Sequence, residues 1–254
     1  MQQGMTLRPM SLSELLDASF GLYRRQFVPL VFVAIASQAI PLGLNVYVQA
    51  AGGMIEHPVA YAVALISAMV LGQVGIATST FMVAEAYLGG SISTQDAFRK
   101  AQPFIGRLIA TAFASGLLFM IGLILLVVPG IIFICALAVT APALVLENQP
   151  SATAAMSRSW NLTKGFRGKV FGAYLVAFLL ISLPGLALGA FGVAAAAASN
   201  SLDSGILIFL VLQMVLQVLA YPFMYVLTTL LYYDLRVRKE AYDLEMLSSS
   251  LGAA

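Results

Sequence analysis

The chain has 254 residues, 61% of them apolar and 9% charged, with a formal net charge of +2. A soluble domain carries roughly 25% charged residues, so so few charges could not cover the apolar surface of a soluble fold; the composition argues against a soluble enzyme, a disordered chain or a nucleic-acid binder and for a bilayer protein. One Cys and one His leave no disulfide framework and no Cys/His metal site within the chain, and no cofactor is expected.

A helix needs about 20 apolar residues to cross roughly 30 Å of hydrocarbon. In chain order the apolar runs predict spans at Phe27–Val48, Ala60–Ala84, Leu108–Val128, Ile131–Leu146, Val170–Ala197 and Gly205–Tyr232. Spans three and four are separated only by Val128-Pro129-Gly130, a turn signal. The 39 residues from Leu108 to Leu146 are too long for one span, so a tight hairpin is predicted. The thirteen Lys and Arg residues test this parse independently. All fall before span one, between two and three, between four and five, or after span six. The positive-inside rule then places both termini and two loops in the cytoplasm of a bacterial inner membrane. Arg24-Arg25 before an apolar run resembles an export signal, but five more spans follow, so the pair reads as the flank of a signal-anchor helix.

Three segments on the basic side share a pattern. Ser11, Ser93 and Ser151 each begin a helical periodicity, with Glu14 and Asp96 three residues after the first two, as in a capping box. Equivalent positions hold Leu15, Ala97 and Ala155, then Ser19, Ala101 and Ser159, then Leu22, Phe104 and Leu162. In the third segment Met156, Trp160 and Phe166 share a face with Ala155 and Leu162, and Arg158, Asn161 and Lys164 lie opposite. This is the pattern of a helix in the membrane interface with basic residues toward the headgroups. The predicted fold is therefore all-α: a six-span bundle with three interfacial amphipathic helices on its cytoplasmic side. Its repeat unit is one interfacial helix plus a hairpin, over 11–88, 91–147 and 151–232. A further helix is expected over 234–247, carrying the i,i+4 pairs Asp234–Arg238, Arg236–Glu240 and Lys239–Asp243, with a frayed end at Ser248–Ala254.

Three stretches carry a family resemblance. The first is Leu7-Arg8-Pro9-Met10-Ser11-Leu12, continuing to Leu22-Tyr23-Arg24-Arg25. The second runs from Val128-Pro129-Gly130 through Ala141-Pro142-Ala143-Leu144-Val145-Leu146-Glu147 to Ser157-Arg158-Ser159-Trp160. The third is Leu230-Leu231-Tyr232-Tyr233-Asp234-Leu235-Arg236-Val237-Arg238-Lys239-Glu240. Together they resemble the bacterial multi-pass family related to the membrane domain of glycerophosphoryl diester phosphodiesterases. The resemblance implies a six-span integral membrane protein and no settled function. Some relatives carry a fused soluble phosphodiesterase, for which this chain is expected to have no room. That catalytic domain needs two histidines and acidic metal ligands. The single histidine, His57, falls in an outer loop, so the activity does not transfer.

The candidate functional residues divide into two groups. Arg158, Lys164, Arg167 and Lys169, beside Trp160, are expected to hold anionic lipid headgroups. Glu85, an acid near the interior of span two, and Gln213, Gln217, Tyr221 and Tyr225 along one face of span six are the candidates for a polar path. The same amides also suit interhelical hydrogen bonding, and Gly185-x-x-x-Gly189 suits close helix packing. No phosphate-binding loop, nucleophile elbow or metal spacing is present. A non-enzymatic scaffold, accessory or lipid-organising protein is the expectation, with a small-molecule or lipid permease as the alternative. The expected partners are anionic lipids, other membrane subunits or a second copy, and no nucleic acid.

Overall fold

A computed structural model describes residues 8–199 and 202–240. Among these the chain is helical with no strand: α1 Leu12–Arg25, α2 Phe27–Ala50, α3 Pro58–Tyr87, α4 Thr94–Ala101, α5 Ile105–Leu125, α6 Val127–Leu137, α7 Thr140–Leu146, α8 Ala152–Thr163, α9 Arg167–Ser199 and α10 Leu202–Glu240. Six stretches are long and apolar enough to cross a membrane: Phe27–Ala50, Pro58–Tyr87, Thr94–Leu125, Val127–Leu146, Arg167–Ala194 and Ile208–Glu240. The protein is a multi-pass membrane protein.

The three short helices begin where the serines predict. Ser11 Oγ accepts from the Glu14 amide, Ser93 Oγ from that of Asp96 and Ser151 Oγ from that of Ala154. Only the first cap is reciprocal, with the Ser11 amide donating to Glu14 at 2.7 Å. Asp96 is one methylene shorter and takes the Ser93 hydroxyl instead, at 2.7 Å. The equivalent positions Leu15, Ala97 and Ala155 are all buried, as are Ser19, Ala101 and Ser159.

Three expectations need correction. The reversal between spans three and four is not at Val128-Pro129-Gly130. It falls on Leu126, which is extended (φ −175°), and Pro129 and Gly130 lie in the first turn of α6. Proline fits there because first-turn amides have no intrahelical acceptor. The two helices close on each other at glycine: a Cβ on Gly122 would stand 3.0 Å from the Gly130 backbone.

Span four is not one helix, because Ala138 and Val139 form a turn between α6 and α7. Pro142 has no amide to return to Ala138, four residues back. The Tyr174 hydroxyl donates to the Ala138 carbonyl at 3.2 Å, and the Ser159 and Thr163 hydroxyls donate to Ala136 at 2.8 and 3.2 Å. Side chains from α8 and α9 thus satisfy a break within a candidate span, which lipid could not do.

Finally, span six does not stop at Tyr232: α10 is continuous through Glu240. Nothing between those residues breaks a helix, and the i,i+4 pairs Arg238–Asp234 and Arg236–Glu240 form at 3.0 Å each. Residues 241–247 of the expected terminal helix, the Lys239–Asp243 pair and Ser248–Ala254 lie outside the described residues.

Burial is uneven along the bundle. The main core joins Leu15 and Leu22 of α1, Leu30 of α2, Val83 of α3, Leu162 of α8, Val170 of α9 and Leu227–Leu235 of α10. It lies near the end where the charged segments meet. Toward the other end Ile124, Leu126 and Val193 are 70 to 80% exposed. Apolar side chains so open to solvent are those of a protein whose solvent is lipid.

Candidate functional site

Asp234 is the centre of the charged end. Its side chain is fully buried and accepts three donors: the Met10 amide at 2.7 Å, the Lys169 ammonium, and Arg238 Nε at 3.0 Å. Lys169 and Arg238 also donate to the Met10 carbonyl. One carboxylate therefore clamps the segment before α1 between the start of α9 and the end of α10. A buried carboxylate is tolerated only when paired and fully hydrogen-bonded, as this one is.

A second cluster is built on Glu147, just past α7. Arg158 of α8 grips it with two parallel bonds, Nε to Oε2 at 2.7 Å and Nη2 to Oε1 at 2.8 Å. Tyr232 and Gln149 each donate to it at 2.9 Å. Arg158 also pairs with Glu240, which Arg236 holds at 3.0 Å. Burial raises the Glu147 carboxyl, but the donors Arg158, Tyr232 and Gln149 outweigh it and hold the group below its usual 4.5. The Glu147 and Glu240 carboxylates hold the Arg158 guanidinium charged, its pKa raised. Arg107 adds a further tie across this end, donating to the Gln149 carbonyl at 2.6 Å.

The five residues expected at lipid headgroups are divided by these contacts. Arg158 and Lys169 face inward, into the Glu147 and Asp234 clusters. Trp160 remains partly exposed, with the Arg167 guanidinium stacked 4.2 Å over its ring. Lys164, at the end of α8, is exposed. Arg24 and Arg25 are exposed too, and among the described residues neither has a carboxylate partner.

The candidate polar path is likewise divided. Glu85 pairs with Lys100 at 3.4 Å and is 40% exposed. Tyr225 lies beside Gly75 of α3. Glu85 is ten residues further along that helix, about 15 Å at 1.5 Å per residue. Gln213 packs against Gly185 of α9, and its Oε1 is buried without a hydrogen-bond partner. Gln217 receives a long 3.5 Å contact from Tyr221, which stacks on Tyr225 with centroids 6.5 Å apart. The Gly185 and Gly189 spacing does pack helices: Gln213 covers the first, and Phe209 the second.

Beside Tyr225, at the interruption of span four, is a cavity of about 220 Å³ lined by Thr80, Tyr174, Thr228 and Thr229 among others. No group of three or more His, Cys, Asp or Glu residues placed to hold a metal occurs among the described residues.

Sequence reading missed the clamps on Asp234 and Glu147. It treated Asp234 as an i,i+4 partner and gave Glu147 no role. The available signal was that both acids stand inside the stretches that carry the resemblance. The first of those stretches meets the third at Met10 and Asp234, and the second meets the third at Glu147 and Tyr232.

The sequence model for the membrane domain of glycerophosphoryl diester phosphodiesterase matches residues 103–250, more than half of the chain. Comparison with curated proteins and with solved structures returned no match. The chain belongs to the family of that membrane domain.

Proposed function

We propose that this member of the family is a non-enzymatic, lipid-organising scaffold or accessory protein of the bacterial cytoplasmic membrane. Its charged end and both termini face the cytoplasm. The observation that carries this reading is how the charges are used. The buried acids Asp234 and Glu147, with Glu240, are taken up by internal pairs. Among the described residues at this end only Asp17 is an exposed acid without an ion pair, while Arg24, Arg25 and Lys164 stay exposed and Arg167 caps Trp160. The remaining field is cationic, and each Lys or Arg near an anionic leaflet is worth about 1 kcal/mol. The clamps hold those cations on a rigid frame, which suits recognition of headgroups or of a partner subunit, including a second copy.

Native mass spectrometry of the detergent-purified protein, offered phosphatidylglycerol and phosphatidylcholine together, tests this. Preferential retention of phosphatidylglycerol is expected, and equal retention overturns the reading. A permease is the second reading, supported by the cavity at the break in span four, which Tyr225 also lines. Solute flux into proteoliposomes that is abolished by Thr228→Phe would move the account to it.

A further inference from the structure

A groove of about 550 Å³ runs between α2 and α3 and is crossed at one end by α4. Its apolar walls are Phe32 and Ala36 on α2 and Leu71 and Val74 on α3, and Thr94, Gln95 and Phe98 of α4 stand at its mouth. Thr78 also lines it. That residue is 2% exposed, and its Oγ1 has no hydrogen-bond partner. A buried hydroxyl without an acceptor is costly, so its position on the groove points to an absent polar atom.

We propose that this groove holds one acyl chain of an anionic phospholipid from the cytoplasmic leaflet, with Thr78 donating to its ester carbonyl. The length fits. From Thr78, where the ester lies, to Leu71 is seven residues, about 10 Å of helix, within the roughly 15 Å of hydrocarbon in one leaflet. The charge fits as well. Arg24 and Arg25, just before α2, are exposed and have no carboxylate partner among the described residues. Arg99 and Lys100 follow Phe98 on α4 but are paired with Asp96 at 3.9 Å and Glu85 at 3.4 Å, so the unpaired cations of these four are Arg24 and Arg25. The cations stand at the phosphate end and the apolar walls at the tail end. This inference rests on the lipid-organising reading and locates one lipid within it, away from Trp160.

The test uses the full chain in phosphatidylcholine vesicles doped with phosphatidylglycerol bearing a photoactivatable diazirine in its tail. Labelling should concentrate on residues 32–37 and 71–78. Ala36→Trp fills the groove and should lower that labelling about tenfold, the effect of two methylenes losing contact. Leu186→Trp, on an exposed face of α9, should leave it unchanged. Thr78→Val should lower it about fivefold for an ester-linked probe and not for an ether-linked one, since only the ester carries the acceptor. Uniform labelling of all spans, untouched by Ala36→Trp, means annular lipid only and overturns the inference. Labelling confined to the Trp160 segment, or cross-linking of two chains through the groove, also overturns it. In the uniform and Trp160 outcomes the retention preference for phosphatidylglycerol still stands, so the site would fail without the broader reading failing with it.

Discussion

Asp234 and Gln213 lie on the same helix, 21 residues apart, about 31 Å at helical rise. Asp234 is buried at the charged end with donors from three segments, whereas Gln213 is buried against a glycine with one acceptor unpaired. The difference shows what holds each half together. A buried charge requires partners converging from separate elements, and those partners then fix the elements to one another. A buried amide costs much less to leave partly unsatisfied. The half around Gln213 can therefore rely on close glycine contacts and apolar packing, as membrane helices do.

The largest expected effect breaks the charged half. Asp234→Asn leaves Lys169 and Arg238 uncompensated and should destabilise the protein by about 3–5 kcal/mol, the cost of breaking a buried pair. Thermal unfolding in a fixed detergent measures it. A loss under about 1 kcal/mol would mean that the clamp on Met10 is not holding the fold.

Next is Arg158→Gln, which removes the bidentate grip on Glu147 and the pair with Glu240. A loss of about 2–3 kcal/mol is expected. This variant also has a pH signature. The folded Glu147 carboxyl is held below its ordinary 4.5. Its contribution is therefore fully present above that ordinary value and is lost as pH falls through the depressed folded one. Wild-type stability should decline as the medium is acidified below about 4.5, and the decline should be shallower in Arg158→Gln. Identical acid limbs in the two proteins would remove Glu147 from the account.

The smallest effect sharpens the other side. Gln213→Leu should change stability by no more than about 0.6 kcal/mol, the average for interhelical polar contacts in membrane bundles. A loss several times larger would give the polar stripe a structural role equal to that of the charged end.

Periodicity, composition and charge placement carried the class, the number of spans and the starts of the short helices, because each is a local property of the chain. Ser11, Ser93 and Ser151 needed only their own following residues to be identified. The break after Leu137 escaped, because a Pro142 within an apolar run looks the same whether a helix kinks or stops. What decides is whether Tyr174, Ser159 and Thr163 arrive to take the freed carbonyls. The inward turn of Arg158 escaped for the same reason. A helical wheel places Arg158 opposite Trp160, but it cannot show that Glu147 and Glu240 wait on that side. Contacts between distant segments decide which charges remain for a ligand, and no single stretch of sequence contains them.

The central claim is that the basic residues around α8 divide into an inner pair that holds the fold and an outer pair proposed to meet lipid. Two double variants test it on one footing: Arg158→Gln with Lys169→Gln, and Lys164→Gln with Arg167→Gln. Each is measured for unfolding temperature and for retention of phosphatidylglycerol over phosphatidylcholine. The account predicts a crossing: the first loses stability and keeps the lipid preference, and the second keeps stability within about 1 kcal/mol and loses much of the preference. Parallel losses in both variants, or a lipid preference that follows Arg158 and Lys169, would contradict it.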